Sequence, residues 1–245
     1  LNKESLEFFD WIKLNIDELE SDSPQWKGNF VSHCLPKNFS HYCKILHPVY
    51  RDKKIKDEHL LWSERRFGVD QKNRIGERLF YKDLVKKYNV QFTQEISTNT
   101  FSQIYGSLPR YIISSDEGNM EINLVEELVK ILKPMTMKQK CYFHYYFLKT
   151  EDWYGDDLLF SGKLEDVFNL YNLNGLHGSP TYWWAEDQSW CLCTDYDLDF
   201  SLIGGTRELI DALLSNSELE CIEVNIDTRI DYRSDWKNVP TNKNK

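Results

Sequence analysis

Ser179–Leu214 reads SPTYWWAEDQSWCLCTDYDLDFSLIGGTRELIDALL, and its spacing decides the fold class. Trp183, Trp184 and Trp190 are followed by Cys191 and Cys193 on alternate positions, then by Asp195, Asp197 and Asp199 on alternate positions. Side-chain direction in a strand repeats every second residue, so this pattern predicts a strand, then a strand-turn-strand unit. Gly204-Gly205-Thr206 leads into Leu209, Ile210, Leu213 and Leu214, an apolar stripe at helical spacing with Thr206 as its N-cap. LECIEV at Leu219–Val224 predicts one more strand.

Working outward, CYFHYYFL at Cys141–Leu148 and DLLFSG at Asp157–Gly162 carry the aromatic and apolar richness of strands. Helical stripes run over Ser5–Leu19, over Gly76–Tyr88 and from Asn119 to Lys133-Pro134, with a short one through Leu164–Tyr171. Gly28–Tyr50 holds two apolar runs broken by Pro36 and Pro48, which favours short strands. Residues 89–120 are polar and aperiodic. Helix and strand mix throughout with no repeat, so the expectation is an α+β single domain over residues 1–224, with a mixed, mainly antiparallel sheet and several packed helices. Residues 225–245 read as a polar C-terminal tail.

The 245 residues carry a net charge of −9. That argues against nucleic acid, whose affinity rests on clustered Lys and Arg. The densest basic run, Arg51–Arg78, is interleaved with Asp and Glu and reads as a solvated mixed-charge face. Six cysteines without a signal peptide or dense spacing read as cytosolic thiols. No stretch approaches a membrane span, so a cytoplasmic protein without a membrane partner is expected; opening on Leu1 leaves room for upstream residues.

Phosphate-loop, dinucleotide-binding, nucleophile-elbow and zinc-protease motifs are all missing from the sequence. An EF-hand reading of Asp195–Asp199 fails, because Phe200 and Thr206 stand where Gly and Glu are needed. Asp195 and Asp197 then belong to a DYDLD turn. Cys191 and Cys193 lack zinc-ligand spacing, so no metal and no cofactor is called. Gly204, Gly205 and Thr206 fit either an ordinary strand-to-helix turn or an anion cradle. His47, at a strand end beside Tyr50 and Arg51, fits either a hydrogen-bonded structural role or a cleft.

The stretches from Ser179 to Val224, GNFVSHCLPKNFSHYCKILHPVYR and CYFHYYF together resemble a family of bacterial conserved hypothetical proteins. In that family a Trp-Trp-Pro-x-Asp-x-x-Trp-Cys run precedes a Gly-Gly-Ser/Thr turn and a helix; Ala185 replaces its proline here. The resemblance implies a bacterial cytoplasmic domain and brings no activity with it. A weaker likeness is to SUKH-type immunity proteins, acidic α+β domains that bind partner toxins.

The leading expectation is a non-catalytic domain binding another protein or a small ligand through an aromatic and acidic groove. Trp183, Trp184, Asp187 and Trp190 would form it, with Asp195 and Asp197 at one rim and His47 and Arg51 arriving from the N-terminal strand. The alternative is an enzyme joining His47 to Asp187 or Asp195, with Gly204, Gly205 and Thr206 holding an anionic substrate.

Overall fold

Two tryptophans in succession on a strand must face opposite sides of a sheet, and this sheet is covered on both. The computed structural model describes residues 1–18, 26–64, 75–151 and 155–238. In chain order its strands and α-helices are β1 (Asn2–Lys3), α1 (Asp10–Lys13), β2 (His41–Leu46), β3 (Val49–Asp52), β4 (Ile75–Leu79), α2 (Tyr81–Tyr88), α3 (Thr98–Tyr105) and β5 (Ile112–Ile113). There follow α4 (Ile122–Thr136), β6 (Cys141–Tyr145), β7 (Leu158–Gly162), α5 (Val167–Leu170), β8 (Tyr182–Ala185), β9 (Cys191–Cys193), β10 (Phe200–Gly205), α6 (Arg207–Ser215) and β11 (Glu220–Val224). The fold is α+β, as the sequence predicts, and every strand pair among the described residues is antiparallel. The chain divides into two compact units, Leu1–His47 with Asp116–Thr228, and Pro48–Ser115 with Arg229–Lys245.

The first unit holds an eight-stranded sheet in the order β1-β7-β6-β8-β9-β10-β2-β11. Register carries one row straight across it: Phe143 opposite Trp183, Trp183 opposite Leu192, Leu192 opposite Ile203, and Ile203 opposite Cys43. That row is buried in one cluster with Leu124, Leu128 and Leu132 of α4 and Leu209, Ile210 and Leu213 of α6. Both helices present apolar residues at three- and four-residue spacing, which is why they lie on this face. The adjacent row, Tyr142, Trp184, Cys191, Gly204 and Tyr42, points to the other side. There Phe9, Trp11 and Phe39 from the N-terminal segment pack on it.

The second unit holds a three-stranded sheet, β4-β3-β5, with α2 and α3. Tyr81, Leu84 and Val85 of α2 and Phe101 of α3 are buried.

The helix expected over Gly76–Tyr88 starts only at Tyr81. Ile75–Leu79 is instead β4, paired with β3, and a Cβ on Gly76 would stand 2.7 Å from the Arg51 carbonyl oxygen. Glycine is there for the close backbone approach. The loose region 89–120 contains α3, capped by the Ser97 side chain accepting from the Asn99 N–H at 3.2 Å. The Ser5–Leu19 stripe forms a short 3-10 turn and then α1, ending at Lys13; Leu19 lies outside the described residues.

The tail expected from residue 225 is corrected through residue 238. Ile230, Asp231, Ser234 and Asp235 are buried. Asp235 accepts from Thr93 Oγ1 at 2.5 Å and from Thr100 Oγ1 at 2.8 Å, tying the segment to α3. Short polar side chains can staple a chain that has few apolar residues to bury, a signal hydropathy alone misses.

Candidate functional site

The aromatic groove is corrected first. Trp183, Trp184 and Trp190 are 0%, 1% and 1% exposed, because β8 and β9 lie in the middle of a sheet covered on both faces. Trp184 stacks on Tyr142 (5.3 Å, 14°), while Trp183 meets Trp190 edge to face at 6.5 Å. The Trp190 indole N–H donates to Thr136 Oγ1 at 3.1 Å. These rings form core, and they present no surface to a ligand.

The remaining candidates, Arg51 apart, lie at two ends of that sheet. Asp187 sits in the β8–β9 turn, where it accepts from Gln139 Nε2 at 2.7 Å and from the Ser189 N–H at 3.0 Å. Burial pulls its pKa upward, but those hydrogen bonds outweigh burial and hold the carboxyl below the usual range. Gly204, Gly205 and Thr206 share that end, since Gly204 pairs with Cys191. His47 and Asp195 lie at the opposite end, because Leu46 pairs with Phe200 while His41 pairs with Gly205. Six residues of β10 separate the two groups, about 17 Å at strand rise. His47 therefore shares no site with Asp187 or the Gly-Gly-Thr segment.

Gly204 and Gly205 are strand residues, buried, and made necessary by packing. A Cβ on Gly204 would stand 2.5 Å from the Phe39 ring, and one on Gly205 2.8 Å from Leu209. Thr206 is the N-cap, its hydroxyl accepting from the Leu209 N–H at 3.3 Å, so the helix supplies its own acceptor where an anion was considered. Gly204→Ala is expected to cost about 1–3 kcal/mol through overpacking, read as a lower urea midpoint at unchanged slope. An unchanged midpoint would contradict the close approach of Phe39.

Asp195 accepts from the Asp197 N–H at 3.1 Å, which is the turn the DYDLD pattern predicts. Burial raises the Asp195 carboxyl, and Asp197 is exposed. Cys191 and Cys193 are free, buried thiols. Among the described residues no group of three His, Cys, Asp or Glu side chains is placed to hold a metal ion.

His47 is 1% exposed. Its Nε2 lies 2.8 Å from Ser201 Oγ, and Ser201 Oγ lies 2.7 Å from Thr194 Oγ1. Burial, reinforced by the nearby Lys149 charge, pushes its pKa down to about 3. Lys149 itself is buried, donating from Nζ to the Gly118 carbonyl at 2.5 Å, and burial lowers its pKa to about 7 against a weaker upward pull from Cys193 and Asp195. This interior polar cluster was not legible, because nothing in the run FLKT distinguishes a buried lysine from a surface one. On the sheet's other face His144 stacks on Phe9 (4.0 Å, 3°) and pairs with Asp157 at 2.9 Å.

Arg51 belongs to the second unit. It is committed to Glu58 at 2.6 Å and lies over the Tyr111 ring at 5.0 Å. Arg65, Arg66, Lys72 and Arg74 of the basic run lie outside the described residues.

The surface that fits recognition chemistry is in the second unit, and all of its residues but Gln103 fall in the stretch expected to be a tail. Gln103, Arg229, Tyr232, Arg233 and Trp236 line an open hollow of about 570 Å³. Tyr232 is 60% and Trp236 57% exposed, and Trp236 is the only tryptophan among the described residues so exposed. Gln103 Nε2 donates to the Ser234 carbonyl at 2.8 Å, fixing the segment against α3. Large rings left in water beside guanidinium groups are the composition of an interface centre.

Comparison with protein-family models, with curated proteins and with solved structures finds no match for this chain. The class defined by fold and site is an acidic α+β protein with an aromatic and arginine-bearing surface patch. No helix among the described residues is long and apolar enough to cross a membrane.

Proposed function

We propose that this chain is a non-catalytic binding protein of the bacterial cytoplasm, and that it engages another protein through the patch formed by Gln103, Arg229, Tyr232, Arg233 and Trp236. The observation that carries the reading is the exposure of Trp236 and Tyr232 beside two arginines, in a chain whose central tryptophans are wholly enclosed. Trp, Tyr and Arg dominate the energetically important positions of protein interfaces. Each combines a large contact area with few rotatable bonds or a planar hydrogen-bonding fork. The family resemblance and the immunity-type likeness belong to this reading as proposals. A protein that neutralises a toxin by binding it needs an interface and no catalytic machinery.

Trp236→Ala tests it. Trp236 is more than half exposed, and the substitution is expected to leave stability within about 0.5 kcal/mol. Affinity capture from the source organism's extract, run in parallel on both proteins, should show a partner held by the wild type and reduced about tenfold or more by the variant. Retention of every partner by the variant, at an unchanged melting temperature, would move the interface off this patch.

A further inference from the structure

Among the described residues β11 is the last strand of the eight-stranded sheet, paired on one side only. It runs antiparallel to β2, which sets Cys221 opposite Ile45 and Glu223 opposite Cys43. Cys43 and Cys221 therefore stand diagonally across the pair and on the same face, because side-chain direction repeats every second residue. That face is the one covered by α4 and α6: Cys43 is buried in its cluster and Cys221 packs against it. All of the cysteines are free; Cys34, Cys43, Cys141, Cys191 and Cys193 are buried, and Cys221 alone is half-buried. The two thiols are neighbours, since interaction with Cys221, with burial second, pushes the Cys43 thiol well above its usual range.

We propose that Cys221 and Cys43 are an oxidisable dithiol, in which a hydroperoxide oxidises Cys221 on the edge strand and Cys43 closes on it, leaving a reversible disulfide between β11 and β2. The Cys221 thiolate attacks one peroxide oxygen, the O–O bond breaks, and the leaving hydroxide takes up a proton as water. The sulfur, two electrons poorer, is then a sulfenic acid. Cys43 attacks that sulfur: the S–S bond forms as the S–OH bond breaks, and the hydroxide departs with the Cys43 proton as a second water. Two thiols and one peroxide thus give one disulfide and two waters. Access sets the order, because reactivity follows thiolate character and exposure, and Cys43 is enclosed and held neutral while Cys221 is not enclosed. Oxidation of Cys221 also removes the thiol that holds Cys43 up. Diagonal neighbours in a sheet stand about 7–8 Å apart at Cα and a disulfide spans up to about 6.8 Å, so β11 has to move inward by about 1–2 Å. A strand bonded on one side can yield that much, and a bond closed under strain is readily reduced again, as a regulatory disulfide has to be.

The test treats the intact, reduced protein with hydrogen peroxide at about tenfold excess, removes the peroxide, caps the remaining thiols with iodoacetamide in denaturant and maps every cysteine by mass spectrometry. The expected product is a peptide joining Cys43 to Cys221, released by dithiothreitol, with Cys34, Cys141, Cys191 and Cys193 capped. Cys221→Ser should slow the loss of thiols about tenfold or more. Cys43→Ala should instead leave Cys221 as a sulfenic acid that a 1,3-dione labels. Melting temperatures check that both variants fold; if Cys43→Ala does not, the wild-type map decides alone. Cys221 carried on to the sulfinic or sulfonic acid beside an intact Cys43 thiol overturns the proposal. So does a disulfide joining any other pair, and so does resistance of every thiol to peroxide. None of these outcomes bears on the Trp236 patch, which lies in the other unit.

Discussion

Trp183→Ala and Trp184→Ala should each lower the unfolding free energy by about 3–5 kcal/mol, the range for emptying a fully buried aromatic site. The two losses fall on opposite sides of β8. Trp183 is enclosed with Phe143 and Trp190 on the α4 and α6 face, whereas Trp184 is enclosed by Phe9, Trp11 and Tyr142 on the other. Among the described residues no ring neighbour is common to both. Limited proteolysis should therefore separate variants that urea denaturation does not: Trp184→Ala should hasten cleavage in the N-terminal segment, and Trp183→Ala should not. A domain of this kind has about 5–15 kcal/mol in all, so either variant spends a large part of its margin and should express poorly. Near-wild-type stability with lost binding would return these tryptophans to a ligand surface, against the 0% and 1% exposures.

That contrast, core tryptophans at 183 and 184 against an exposed one at 236, also marks how far the sequence could be read. Alternation gave the antiparallel hairpin, the opposite-facing pair, the Asp195 turn and the Thr206 cap, since each depends on residues within a few positions of one another. It could not say that both faces of the sheet are covered. Whether Trp184 meets water depends on Phe9 and Trp11, more than 170 residues away in sequence. The same limit hid the exposed aromatic and arginine patch. Asp235 looks solvated until Thr93, Thr100 and Glu95 are brought to it, and only then does the segment carrying Tyr232 and Trp236 lie on a fixed backbone. Gly76 reads as a helix start in the sequence because its reason, the Arg51 carbonyl, comes from another strand.

Lys149→Met should make the protein more stable near neutral pH and remove part of its pH dependence. In the folded chain burial lowers the lysine pKa from 10.5 to about 7, so between those values the unfolded state holds a proton that the folded state does not. Stability from this group is therefore fully present only above pH 10.5 and is lost as pH falls through the folded value near 7. Each unit of that window is about 1.4 kcal/mol, which places the total cost of the amine at several kcal/mol. Methionine keeps the volume without the titration, at a loss of about 1 kcal/mol for the bond to Gly118. The difference between variant and wild type should be largest at pH 7 and shrink steadily toward pH 9, a comparison that cancels the tyrosines titrating in both. His47, held down to about 3, acts in the same sense lower on the scale: stability falls as pH drops from 6.5 toward 3. Asp195→Asn supplies the second readout, because its carboxylate supports the lysine charge, and removing it should move the Lys149 midpoint, followed by NMR of the labelled side chain, still lower. A difference independent of pH would mean that the folded amine is as well solvated as the unfolded one, and the interior cluster of His47, Ser201, Thr194 and Lys149 would then have to open to water.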